Sequence, residues 1–216
     1  MRFDWLFEQR DNIVMLLGWH IYLSIVPVFI GLALAIPVGG LLQRCGKFKD
    51  GILNIIGLLY TLPSLALFVL LPGLLGTKIL DTVNVVVALT IYAFALLIRT
   101  VCDGLDSVPP ETHQAAIAMG YRPVQRFIGV ELPLAVPVIA AGMRVVVVSN
   151  VSIVSISALV GMPQLGALFT QGFQLHFLTP IIAGIFLCIL LALVLDNLVL
   201  RTGNKMTRWQ PKRSAK

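Results

Sequence analysis

Charge is scarce in this chain. Asp, Glu, Lys and Arg make up 12% of its 216 residues, about half the share found in soluble globular domains. With hydrophobic residues at 58%, so few charges cannot clothe a water-facing surface, and the chain reads as an integral membrane protein. Cysteine is limited to Cys45, Cys102 and Cys188, widely spaced and without a CxxC pair or a neighbouring histidine. That pattern excludes a disulfide framework and a zinc site. His20, His113 and His176 are too far apart in sequence to read as a ligand set, so no metal is expected. No GxxxxGK[ST] stretch is present to cradle nucleotide phosphates, and no HExxH or GxSxG. No catalytic residue is therefore assigned, and no cofactor is expected in this chain. A proton-driven carrier would need buried carboxylates to titrate; only Asp196 qualifies, near the end of its apolar run, where Arg201 is its expected partner.

What the chain does have is long apolar runs. A spanning helix takes about 20 such residues, and five stretches qualify: 13–42, 52–71, 83–100, 134–160 and 180–200. They predict an all-α, polytopic fold of about five transmembrane helices, with a transmembrane domain over 1–202 and a basic tail over 203–216. Residues 1–11 carry mixed charge with Phe3, Trp5 and Phe7, which suits a short interfacial helix. They show neither a basic leader nor a small-residue cleavage site, so the first run reads as a retained span. Pro27 and Pro37 should bend it. Residues 161–179, interrupted and containing His176, read as an interfacial or re-entrant helix.

Two spans carry polar groups. Tyr60, Thr61, Pro63 and Ser64 fall near the middle of the second, where a proline frees a carbonyl and neighbouring hydroxyls can line a polar path or back-bond to their own turn. The fourth holds Arg144, Ser149, Asn150, Ser152, Ser155 and Ser157. Asn150 and Ser152 are taken as candidate path residues, against the alternative that small polar residues here serve helix packing. Arg144 is close enough to the end of its run to reach headgroups.

The organising stretch lies between the third and fourth spans, over about 103–133. Pro109 and Pro110 suit a helix start, Glu111 favours the positive end of its dipole, and Gly120 ends it in the left-handed conformation. Pro123 opens a second short helix, and Arg122 and Arg126 keep it out of hydrocarbon. Gln114, Ala115, Ala116, Gly120, Val130, Leu132 and Pro133 stand at the spacing EAA, three residues, G, nine residues, I, one residue, LP. This resembles the cytoplasmic loop of ABC importer permeases, with Gln for the usual Glu and Val for the usual Ile. The resemblance implies a helical knob that docks on a partner ATPase, which would bind ATP and Mg. It also implies a second permease chain, identical or homologous, and an extracellular or periplasmic solute-binding protein.

Four stretches, 61–76, 88–105, 130–144 and 156–173, resemble the branch of these permeases that imports glycine betaine, choline, carnitine and related quaternary ammonium osmoprotectants. Methionine and polar amino-acid permeases share the central loop and stay as the alternative, with a secondary transporter behind them. Lys and Arg number sixteen against ten Asp and Glu, and their clustering in the loop after the first span, the central loop and the tail explains the excess better than nucleic acid does. By the positive-inside rule those segments face the cytoplasm of a bacterial-type cell membrane, with the N-terminus outside.

Overall fold

The computed structural model describes residues 3–209, and every regular element among them is helical. A short α1 (Phe3–Glu8) leads into α2 (Arg10–Leu42). Trp5 packs edge-on against Phe177 with ring centroids 5.8 Å apart, so α1 is pinned to the loop before the last helix. Pro27 and Pro37 both sit inside α2, which continues through them.

The second expected span is not one helix. It is α3 (Lys49–Leu58), a tight turn over Leu59–Thr61, and α4 (Ser64–Leu75), meeting at 96°. The cause is local. A residue before proline is driven from the helical region, and Leu62 (φ −64°, ψ 137°) and Pro63 (φ −63°, ψ 124°) are both extended. Two successive extended residues turn the chain.

The third span is α5 (Thr82–Asp106), whose first turn is capped by Asp81 accepting from the Val83 N–H at 3.1 Å. It runs the length of α2 and forms the centre of the fold, with Leu97, Ile98, Val101 and Cys102 buried. Small residues permit this approach, as is usual where helices have no hydrophobic force to join them in lipid. A Cβ built on Gly39 of α2 would lie 2.7 Å from Val101 Cγ1, and one on Gly142 would collide with Thr100.

After α6 (Pro110–Ala118) and α7 (Pro123–Arg126) comes a widened turn of π geometry, Phe127–Glu131, and then α8 (Leu132–Ile156). Pro133 has no N–H for the carbonyl four residues back, and its ring crowds that carbonyl; the wider turn accommodates both. The fourth span, expected from 134, meets the start of α8 at Leu132 to within two residues and lies inside one helical run from Pro123 to Val160. The segment 161–179, expected as an interfacial or re-entrant helix, packs into the fold: Met162, Gln164, Leu165 and Leu168 are buried, and α9 (Ala167–Gln174) packs on α10 (Leu178–Met206). Arg201 and Lys205 belong to α10, so the expected division at 202/203 falls within a helix. Residues 210–216 of the basic tail lie outside the described residues.

By length and composition α2, α5, the run from Pro123 to Val160 and α10 can each cross a membrane, and the bent pair brings the number to five. The chain is a multi-pass membrane protein.

Candidate functional site

The central loop forms the helix, turn and second helix that its sequence calls for. Pro110 occupies the first turn of α6, and the helix closes on Gly120 at φ +82°. The Tyr121 N–H donates to Ala116 O at 3.1 Å and the Gly120 N–H to Ile117 O at 2.9 Å, the paired bonds of a Schellman ending. Ala116 is buried beneath the loop, while Gln114 and Ala115 face outward. Around them Ile117, Met119, Tyr121 and Val124 are exposed, leaving an apolar knob on a turn that is otherwise polar. Val130, Leu132 and Pro133 are half-buried where the loop joins α8.

One carboxylate braces this loop. Glu131 Oε1 accepts from Arg126 Nε at 2.8 Å and lies 3.0 Å from His113 Nδ1. Glu131 stands between Val130 and Leu132, so it ties α6 and α7 to the start of α8. Sequence reading passed over it, although an acid beside the motif and a histidine beside Gln114 were visible. Nearby, Lys49 pairs with Asp106, and Gln43 Nε2 donates to Asp106 Oδ1 at 3.0 Å and to Cys102 O at 3.2 Å. These contacts gather the ends of α2 and α5 and the start of α3 at one end of the molecule.

The six candidate path residues fall in three places. Tyr60, Thr61, Pro63 and Ser64 share the break between α3 and α4. Tyr60 meets Tyr92 edge-on at 5.8 Å, Tyr92 donates its hydroxyl to Leu62 O at 2.7 Å, and Thr61 Oγ1 back-bonds to Leu58 O at 2.7 Å. Asn150 is buried and donates to Ser24 O at 2.7 Å, joining α8 to α2. Ser152 is exposed, on a groove of about 520 Å³ between α8 and α10 that Ser155, Phe169, Cys188 and Asp196 also line.

Two further polar contacts join distant parts of the chain. Asp196 pairs with Arg144 rather than Arg201: Arg144 Nε and an amino nitrogen reach its two oxygens, each at 2.7 Å. Arg201, five residues along the same helix, projects about 140° around it. Arg144, expected at headgroups, is thus engaged across α8 and α10. His20 is fully buried, with one ring nitrogen 3.1 Å from Gln164 Oε1 and the other 3.1 Å from Val151 O. Gln164 also donates to Ser155 O at 3.2 Å. Nothing in the sequence paired residues so far apart; a glutamine set between Pro163 and Gly166 in an apolar stretch was the only cue.

The family described as "Binding-protein-dependent transport system inner membrane component" matches residues 27–208. The chain belongs to this family. Among named relatives of this transport component, the osmoprotectant import permease protein OsmW of Salmonella typhimurium is 32% identical over 91% of the chain and 93% of its own length. The choline transport system permease protein OpuBB of Bacillus subtilis is 31% identical over 87% and 85%. Inward facing conformations of the MetNI methionine ABC transporter superpose with a TM-score of 0.75 at 22% identity, covering 93% of the chain and 97% of theirs, a likeness of fold. The central loop lies within the matched region.

Proposed function

We propose that this transport component is the permease subunit of an ATP-driven importer for a quaternary ammonium osmoprotectant such as glycine betaine, choline or carnitine. The observation that carries the substrate class is the identity to OsmW over nearly the full length of both chains. The methionine alternative has only a likeness of fold behind it.

The central loop, through Gln114, Ala115, Ala116, Gly120, Val130, Leu132 and Pro133, docks on an ATPase partner that binds ATP and Mg. Its exposed apolar knob supports this, because such side chains projecting from a polar turn suit burial against another protein. A second permease chain, identical or homologous, completes the transmembrane pathway, and a solute-binding protein delivers the substrate from outside. ATP binding draws two such loops together and turns the helix bundles from inward to outward facing. Arg44, Lys47, Lys49, Arg122 and Arg126 lie in the segments joined at the braced end, and Arg201, Lys205 and Arg208 come at or just beyond the end of α10. This supports a cytoplasmic loop and C-terminus and an outer N-terminus.

The test is uptake of labelled glycine betaine, choline and carnitine in cells stripped of their own osmoprotectant uptake, supplied with this chain, its ATPase and its binding protein. Uptake that vanadate stops supports the reading. Uptake of methionine alone would favour the alternative, and vanadate-insensitive uptake a secondary transporter.

A further inference from the structure

The break between α3 and α4 lies level with the middle of α5. Tyr92 lies near the middle of α5 (Thr82–Asp106), and its hydroxyl holds Leu62 O, which sets the extended residues Leu62 and Pro63 beside the midpoint of a helix long enough to cross the bilayer. Non-helical backbone at that depth does not face lipid; it is covered by protein or lines a water-filled cavity. Yet in the single chain Tyr60 is 38% and Leu62 46% exposed, and Thr61 and Pro63 are exposed beside them. Something other than hydrocarbon therefore meets this face.

Tyr60 projects an aromatic ring there, steadied by its edge-on contact with Tyr92. The ring follows the carbonyl end of α3, where the helix dipole is negative. Carbonyl ends of interrupted membrane helices and aromatic faces both attract cations, and an aromatic face suits one that cannot donate hydrogen bonds. We infer that the α3–α4 break lines the aqueous path and that Tyr60 makes a cation–π contact with the quaternary ammonium group of the substrate as it crosses the bilayer. This rests on the osmoprotectant reading above and adds the residue that touches the cargo within the membrane.

The complete transporter, with ATPase and binding protein, is reconstituted in vesicles and its uptake of choline and glycine betaine measured. Tyr60→Phe and Tyr60→Trp keep a ring face and should hold uptake within about twofold, whereas Tyr60→Leu should lower it about tenfold. In parallel, Tyr60→Cys, on a chain whose Cys45, Cys102 and Cys188 are replaced by alanine, is treated with the trimethylammonium-ethyl methanethiosulfonate reagent. Labelling that choline suppresses is the expected result. No labelling with or without nucleotide means that a second permease chain covers the break, and overturns the inference. Labelling together with wild-type uptake in Tyr60→Leu means a wet wall that the substrate does not touch, and overturns it too. A wild-type transporter that moves neither choline nor glycine betaine removes the substrate reading and the inference together, an outcome distinct from the other two.

Discussion

Gly120 offers the sharpest test of the loop, because its role is conformational and nothing else. At φ +82° it holds the Schellman ending of α6, and a Cβ built on it meets no atom within 4 Å. Substitution therefore creates no clash, and its cost is that of placing an L side chain in the left-handed region, about 1–2 kcal/mol for alanine. Asparagine enters that region more readily, and a β-branched valine less readily. If the knob must keep this turn to stay seated on the ATPase, 1–2 kcal/mol corresponds to a fall of about 5- to 30-fold in the seated population. Solute moved per ATP hydrolysed should then rank Gly120 first, followed by Gly120→Asn, Gly120→Ala and Gly120→Val, while the amount of membrane-inserted protein stays level because the turn lies outside the spanning core. Gly120→Asp should likewise insert, and should couple about as well as Gly120→Asn, since aspartate also enters the left-handed region. The assay is paired uptake and phosphate release in vesicles. Equal coupling in the alanine and valine variants would refute the reasoning, as would a loss of inserted protein that follows the same order.

The Glu131 brace yields a second prediction: Glu131→Gln should leave ATP hydrolysis but reduce transport, because α6 is no longer held to α8 through His113, and Glu131→Asp should recover part of it. Transport and hydrolysis falling in equal proportion would count against transmission through this carboxylate. For the pair across α8 and α10, Asp196→Asn alone should lower the melting temperature in detergent more than Arg144→Met with Asp196→Leu, since an unpaired guanidinium in an apolar setting is worse than none; a double variant that melts lower than the single one would overturn this. Asn150→Leu should cost about 1 kcal/mol through the lost bond to Ser24 O, read as a lower melting temperature with unaltered transport selectivity. A change in selectivity would instead restore Asn150 to the path.

The chain's own chemistry made the loop readable. Two prolines, a run of helix formers and a glycine at the right distance specify a capped helix whatever surrounds them, and α6 ends where Gly120 says it should. Pro63 likewise announced an interruption, but not a turn of 96°, which depends on Leu62 and Pro63 both staying extended and on Tyr92 supplying the hydroxyl that keeps Leu62 O satisfied. The contacts that stayed hidden are those whose partners are brought together only by packing. Asp196 has Arg201 close in sequence but on another side of the helix, while Arg144 reaches it from a different helix. His20 and Gln164 are joined only because the segment before α9 folds inward, and a local pattern of apolar residues carries no trace of that. The fourth span, expected from 134, meets α8 to within two residues, but hydropathy gave no sign that the helix runs on unbroken from Pro123.

That early start has a mechanical consequence. Helix runs without a gap from Pro123 to Val160, 38 residues or about 57 Å at 1.5 Å per residue. A partner that grips the loop therefore holds the short end of a lever whose long arm crosses the bilayer. Pivoting that long arm, residues 132–160 or about 44 Å, by about 5° displaces its far tip by about 4 Å, enough to part or close a passage for a small solute. A shift at the loop end need not be relayed through a chain of intermediate contacts; the same piece of backbone delivers it to the opposite end.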